Sequence, residues 1–589
     1  MSIKDPNLPN GYDLSKIESP ADIRSLSVDE LYPLAAELRA ALTRKLAAHG
    51  GHVGPNLGFL EATIALHYVF DTPEDKIVFD VSHQTYVHKM LTGRIAAFLD
   101  PAKYDDVTGF TEPRESPYDL FAIGHTSTSI ALAAGLAKAR DLKGEKENIV
   151  AVIGDGSLSG GEAFEGLDYA AKLDSNFIVV VNDNQMSIEP VYGGLYDNLA
   201  RLRQTDGTDP CNYFRALGYR YIYVRYGNDL RSLVEAFRAV KGSTEPVVVH
   251  IDTDKGHGLP VAELDKEKFH FSAPFDPKTG ALLHPSTAES YTDIFARHML
   301  DRITNDPDVC LLTAGTAGAI GFDRDRRRAA GRQFIDVGIA EENAVATASG
   351  LAKGGCKPVF ADPATFIQRT YDQLSQDVAI NLQPATFVTL YASVWGMNDM
   401  THLGFFDVPM ISNIPGILFL TPTNAEEYIA MLDWAIDQKE TPVVVRTPGG
   451  PVIHTDAPVD KDYSHVTYLT VERGEEVAVI AAGAFLSLGA QAVELMKQQG
   501  LRPTLINPRV LSHVDTEALD SLRDYRHVIT LEDNALDGGM GQKIAAYLGD
   551  APVKVHCLGL PKAFPDRYDP SELLERQGLT PAHIASLAR

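Results

Sequence analysis

Two short polar turns, each closing an apolar run, constrain this chain more than any other feature. Residues 149–153 are branched and apolar, and they end in Gly154-Asp155-Gly156-Ser157. A helical pattern follows, with Phe164, Leu167, Ala170 and Ala171 three and four positions apart. A second apolar run, 177–181, ends in Asn182-Asp183-Asn184. Short apolar runs bounded by glycine and polar residues predict buried strands, here joined by a crossover helix. Parallel sheets of this kind bind ligands beyond the carboxyl ends of their strands. Asp155 and Asn184 fall at two such ends, one strand–helix–strand unit apart. A carboxylate, an amide oxygen and a main-chain carbonyl leave room for phosphate oxygens on Mg2+, which takes about six oxygen ligands. The competing reading is an ordinary Gly-Asp-Gly turn.

The alternation of strand and helix continues through 589 residues, which predicts an α/β protein of three domains. Each has a mostly parallel sheet flanked by helices. Pro- and Gly-rich residues 271–290 and the Pro-, Asp- and His-rich stretch 451–470 place the domains at 1–290, 291–455 and 456–589. Further strands are expected at 76–80 and 246–252, at 309–313, 385–390 and 442–446, and at 477–482, 504–507, 527–531 and 553–558. Residues 1–20 read as a loose arm. Residues 189–225 read as irregular and then strand-like, and 391–407 as an exposed loop.

The formal net charge of −26 argues against a nucleic-acid partner. Cysteines 211, 310, 356 and 557 form no CxxC pair, which suits reduced thiols rather than disulfides or a zinc site. The amino terminus lacks an apolar signal core, and no apolar run reaches the roughly 18 residues of a membrane span. A cytoplasmic protein with no membrane partner is expected.

Several other residues sit where chemistry is possible. His52 follows two glycines in GGHVGPNLG, and His83 lies just past the strand at 76–80. His125 precedes small hydroxyl residues at a helix start, where main-chain N–H groups favour an anion; simple capping by serine or threonine is the alternative. Lys255 and His257 occupy a Gly-rich loop, and His270 lies in FHFSAPFD. Glu341 opens a helix, a position that by itself only suits the helix dipole. The segment GTAGAIG is not GxGxxG, which argues against a dinucleotide site.

Taken in order, GGHVGPNLG, DVSHQTYVHKMLTGR, GHTSTS, GDGSLSGGEAFEGL, NDNQMSI, FHFSAPFD, DVGIAEENAV, TFIQRTYDQ, THLGFFD and GLPKAFPD resemble the 1-deoxy-D-xylulose-5-phosphate synthase family of transketolase-like enzymes. The likeness runs nearly end to end. It implies a transferase of transketolase-like fold that uses thiamine diphosphate and Mg2+, handles small molecules and forms a homodimer. By this resemblance Asp155, Asn184 and the Met186 carbonyl would hold Mg2+. Gly154, Gly156 and Ser157 belong to the same cofactor motif, and His83, His125 and His257 would contact the diphosphate. Ile188 would lie under the cofactor, Phe366 would stack on its pyrimidine, and Glu341 would exchange a proton with the pyrimidine ring. His52 and His270 would move protons at substrate oxygens.

The chain departs from that family where the acceptor would bind. Tyr391 and Gly449 stand where the family has arginines that grip the phosphate of glyceraldehyde 3-phosphate. Asn398 replaces an aspartate, Pro363 a tyrosine, and Arg114 is displaced by one position from an arginine expected near pyruvate. Arg369, Arg446 and His402 remain as substitutes, so Arg369, Tyr391, Asn398 and His402 are the candidate substrate residues. The reading is a carboligase that decarboxylates pyruvate or a similar 2-oxo acid and uses an aldehyde other than glyceraldehyde 3-phosphate. The alternatives are a ketol transferase that releases no CO2 and a non-catalytic regulatory relative.

Overall fold

The computed structural model describes residues 12–589, so the first eleven residues of the expected arm lie outside the described residues. The chain divides between residues 287 and 288 into two compact units. Among the described residues no helix is long and apolar enough to cross a membrane.

The first unit is built on β1 (Lys76–Phe79), β2 (Ile149–Gly154), β3 (Phe177–Asp183), β4 (Arg220–Val224) and β5 (Pro246–Asp252). They form one parallel sheet in the order β1-β2-β3-β5-β4. Val150, Val152, Ile178 and Val180 face one core, while Ile149, Ala151, Ile153, Val179 and Val181 face the other. With both faces covered, the strands need apolar residues at every position, which is why they read as continuous apolar runs. The helix Gly161–Ala170 makes the crossover between β2 and β3.

The second unit contains two sheets. The first comprises β6 (Val309–Thr313), β7 (Phe334–Asp336), β8 (Lys357–Pro363), β9 (Thr386–Leu390), β10 (Leu418–Leu420) and β11 (Val443–Arg446), all parallel, in the order β10-β11-β9-β8-β6-β7. The other comprises β12 (Leu469–Glu472), β13 (Val477–Ala481), β14 (Thr504–Asn507), β15 (His527–Ala535) and β16 (Lys554–Leu560). Its order is β12-β14-β13-β15-β16, and β12 alone runs antiparallel. Three parallel-dominated sheets flanked by helices make this the expected α/β class.

Three local expectations need correction. Residues 194–204 are helical rather than irregular, because Tyr196, Leu199 and Leu202 form a buried stripe at three-residue spacing. The 391–407 loop is not exposed throughout: Ala392, Ser393, Val394, Leu403 and Phe405 are buried. The last sheet begins at β12, inside the stretch read as a linker, because an edge strand with mostly exposed side chains carries no apolar run.

Past β4 the chain folds tightly onto the end of β5, where Gly227 N–H donates to the Asp252 carbonyl at 2.8 Å. A Cβ at Gly227 would lie 2.3 Å from that oxygen. Gly227→Ala is therefore expected to destabilise the first unit by about 1–3 kcal/mol, read as a lower thermal midpoint; an unchanged midpoint contradicts this packing.

Candidate functional site

In the first unit the parallel register sets Gly154 beside Asn182 and so brings the two polar turns together. The Asp155 Oδ2 accepts the N–H groups of Asn184 at 3.3 Å and Met186 at 3.2 Å. Gln185, at φ 65°, curls the chain back, and Met186 N–H lies 3.2 Å from Asn184 Oδ1. Asp155 is 1% exposed. Burial, and after it the charge of Asp183, pushes its pKa well above the usual carboxylate range. Asp183 itself is held by His250 Nε2 at 2.8 Å and by Arg203. A buried carboxylate, an adjacent amide oxygen and a nearby carbonyl are a hard-oxygen donor set that a divalent cation would relieve, so these residues fit a metal–diphosphate anchor. The anchor is close-packed: a Cβ at Gly156 would lie 2.9 Å from Ser187 Cα.

The loop carrying His125 is tied to this anchor through Ser127 Oγ, which donates to the Ser157 carbonyl at 2.8 Å. The helix start behind it is not an open anion site. Asp80, at the end of β1, accepts the N–H groups of Ser127 at 2.8 Å and Ser129 at 3.0 Å. Thr128, the capping residue of the helix Ser129–Lys143, makes no side-chain cap either. A carboxylate from another strand thus takes two N–H groups at this helix start, beside the loop that carries His125.

His52, His83 and His270 come from three separate stretches and form one cluster. Their ring centroids lie 5.1, 5.7 and 5.2 Å apart for His52–His83, His52–His270 and His83–His270. Asn56, fully buried, joins the first two: its Nδ2 donates to the carbonyls of His52 at 2.8 Å and His83 at 2.7 Å. Main-chain pairing of Gly51 with Ser272 carries His270 into place. Burial, and then the Lys255 charge, holds the His270 pKa well below its ordinary value.

His257 does not join this cluster by ring contact. It is partly exposed, with Nδ1 3.8 Å from Glu263. Lys255 of the same loop reaches the anchor instead, with Nζ donating to the Ser187 carbonyl at 2.5 Å and lying 3.5 Å from that of Ile188. Burial lowers the Lys255 pKa to about 8. Ile188 is half-buried beside it.

In the second unit Glu341 is the first residue of the helix Glu341–Lys353, after β7, and is 2% exposed. Arg369 Nη1 lies 3.5 Å from Glu341 Oε2, which places this arginine beside the glutamate. Phe366 meets His402 edge to face at 5.7 Å, and Thr401 Oγ1 lies 2.8 Å from His402 Nδ1.

The remaining acceptor-side residues are mostly committed elsewhere. Tyr391, at φ 51°, donates from its hydroxyl to the Ala319 carbonyl at 3.0 Å. The Asn398 amide donates to the Tyr568 carbonyl at 3.0 Å. Arg446 is 3% exposed and is bound by Asp407, at 2.7 Å from Nε, and by Asp533. It is not a substitute phosphate ligand. Trp395 lies against Gly449 and Gly450: a Cβ at Gly449 would be 3.1 Å from the indole and 2.7 Å from Ser393 Oγ. Arg114, in the first unit, is 69% exposed and is held by Glu112 at 2.8 Å.

Comparison with known proteins covers the same ground. The family model described as 1-deoxy-D-xylulose-5-phosphate synthase matches residues 14–212. The transketolase pyrimidine binding domain matches 287–451, and the transketolase C-terminal domain matches 467–584. A 1-deoxy-D-xylulose-5-phosphate synthase of Symbiobacterium thermophilum is 38% identical, over 98% of this chain and 94% of its own. One from Pelotomaculum thermopropionicum is 37% identical, over 96% of this chain and 95% of its own. A solved transketolase of Campylobacter jejuni is 16% identical, with a TM-score of 0.43 over 94% of this chain and 98% of that one.

Removing the Arg446 guanidinium leaves Asp407 and Asp533 buried without their cation. Arg446→Met is expected to cost about 3–5 kcal/mol in denaturant unfolding. A loss below about 0.5 kcal/mol, typical of a surface change, would show the arginine to be uncommitted.

Proposed function

Because this chain belongs to the 1-deoxy-D-xylulose-5-phosphate synthase family, we propose that it is a carboligase that decarboxylates pyruvate or a similar 2-oxo acid and joins the acyl-anion equivalent to an aldehyde other than glyceraldehyde 3-phosphate. The family works with thiamine diphosphate and a divalent metal, typically Mg2+. When bound, that cofactor supplies the carbon nucleophile and the electron sink for loss of CO2.

The chain's own residues take the following parts in this reading. Asp155, Asn184 and the Met186 carbonyl hold the metal, with Gly154, Gly156 and Ser157 shaping the turn around it. His83, His125 and His257 bind the diphosphate, with Lys255 of the same loop beside the metal turn, and Ile188 supports the cofactor from below. Phe366 stacks on the pyrimidine, and Glu341 gives and takes a proton at the pyrimidine ring nitrogen. His270, kept neutral by its burial, accepts a proton from a substrate oxygen, and His52 beside it returns one. The reading also includes three functional domains at 1–290, 291–455 and 456–589, a homodimer, and a cytoplasmic location. The three sheets and the four cysteines without a CxxC pair support it.

The observation that carries the acceptor assignment is the indole of Trp395 laid over Gly449 and Gly450, with Arg446 committed to two aspartates. Two charge-assisted phosphate contacts worth about 1.5–3 kcal/mol each are then missing. An aldehyde panel with pyruvate, thiamine diphosphate and Mg2+ tests the reading. CO2 release is expected with product formation, and glyceraldehyde 3-phosphate is expected to surpass its unphosphorylated counterpart in kcat/KM by less than about tenfold, or 1.4 kcal/mol. A preference of about a thousandfold for the phosphorylated aldehyde overturns the acceptor assignment. Ketose consumption without CO2 points to ketol transfer. Glu341→Ala is expected to abolish CO2 release, and full activity in that variant contradicts the role of Glu341.

A further inference from the structure

A line of buried polar side chains crosses one face of the first unit's sheet, from β4 through β5 to the end of β3, and the reaction as described does not use it. In the parallel register Tyr223 of β4 lies beside His250 of β5, and His250 lies beside Val181 of β3. Side chains alternate along a strand, so Tyr221 and Asp183, two positions from those partners, share the face of His250. Tyr221 Oη lies 2.7 Å from His250 Nδ1. His250 Nε2 lies 2.8 Å from Asp183 Oδ2 and is the donor, since an ionised carboxylate only accepts. Arg203, from the helix Gly194–Gln204, binds the same oxygen. Asp183 Oδ1 accepts the N–H of Gln185 at 3.2 Å. His250 and Asp183 are fully buried, and Tyr221 nearly so.

Much of that face is apolar. Val179, Val181 and Val248 lie in the same core, and Phe214 stacks on the Tyr221 ring at 5.8 Å. Buried polar groups add little to a fold, because each hydrogen bond mainly offsets its own desolvation. Apolar side chains would fill this layer without that cost. What the line reaches is the turn after β3. Gln185 takes a φ of 65° there; its N–H is held by Asp183, and the next N–H, of Met186, is held by Asp155. Asp183 thus helps set the path of the turn that presents Asn184 and the Met186 carbonyl. The strand end is tied from β5 as well: Thr253 donates its N–H to the Asp183 carbonyl at 2.9 Å and its hydroxyl to Asn182 Oδ1 at 2.6 Å. Both Asp183 oxygens are engaged by donors, so this carboxylate stands behind the anchor rather than in it.

We propose that His250 and Tyr221 are positioning residues of the metal anchor: by holding Asp183 from behind, they fix the Gln185 turn and so the oxygens offered to the cation. This rests on Asp155, Asn184 and the Met186 carbonyl being the metal ligands. A metal site keeps its affinity when its ligands are held in place before the ion arrives, and groups behind the ligands supply that restraint. His250 supplies it through Asp183, and its ring is oriented by a partner at each nitrogen. Tyr221 is the partner at the far nitrogen.

Binding of Mn2+ to the full-length chain with thiamine diphosphate present, followed by the electron paramagnetic resonance of the free ion, tests this without turnover. His250→Gln is expected to weaken Mn2+ binding by about 10–100-fold. Tyr221→Phe, which removes only the hydroxyl, is expected to weaken it by a smaller factor, above about threefold. Tyr219→Phe is the control for packing, because the Tyr219 hydroxyl is buried in the same core but donates to the Leu167 carbonyl at 2.8 Å. That variant is expected to lower the thermal midpoint and leave Mn2+ affinity unchanged. A loss below about threefold in His250→Gln or in Tyr221→Phe overturns the role of that residue, and where His250→Gln does not fold, Tyr221→Phe decides. Equal weakening in Tyr219→Phe also overturns the assignment, since loosened packing then accounts for the loss. Asp155→Asn separates this from the anchor itself. Lost Mn2+ binding in Asp155→Asn with unchanged binding in His250→Gln leaves the anchor standing and refutes only the line behind it; wild-type binding in Asp155→Asn refutes both.

Discussion

The two hydrogen bonds that Asp155 accepts from Asn184 and Met186 organise the first unit's half of the chemistry. They exist because β2 and β3 are parallel neighbours in a register that ends both strands at the same level. The next carboxylate, Asp183, still acts on Asp155, but it is itself held by Arg203 and by a hydrogen bond from His250 Nε2. From this point the other elements are tethered. Tyr196 donates to the Asp155 carbonyl at 3.2 Å, Lys255 reaches the turn carbonyls, and Ser127 ties in the His125 loop. A neutral side chain at 155 would remove the largest of the negative charges that offset the desolvation of Lys255, leaving Glu189 and Glu267.

Much of this framework is legible in the sequence, since it depends on runs and spacings. The strands β1, β2, β3 and β5 are continuous apolar runs because both sheet faces are covered, and the polar turns after them stand out for that reason. The motif order was enough to identify the family and to pick out the three histidines that cluster in space. Strand β12 and the helix Gly194–Gln204 were missed because their apolar content is thin: one is an exposed edge and the other follows two glycines.

What the sequence does not display is which polar groups are already paired. Asp80 takes the N–H groups that a helix start would otherwise offer to an anion. Arg446 looks available as a residue type, yet two aspartates hold it. Asn56 works in the opposite direction. Its amide fixes the carbonyls of both His52 and His83, although an asparagine in a Gly-rich stretch reads as a turn residue.

The contact of Trp395 with Gly449 and Gly450 has a consequence for how such a site changes over time. A side chain at 449 meets Ser393 at 2.7 Å and the indole at 3.1 Å, so Ser393 is the tighter obstacle and Trp395 the second. Removing Trp395 alone therefore leaves position 449 blocked. Positions 393, 395 and 449 are coupled in this way, and a library that varies them one at a time samples only combinations in which one of the three still excludes a side chain.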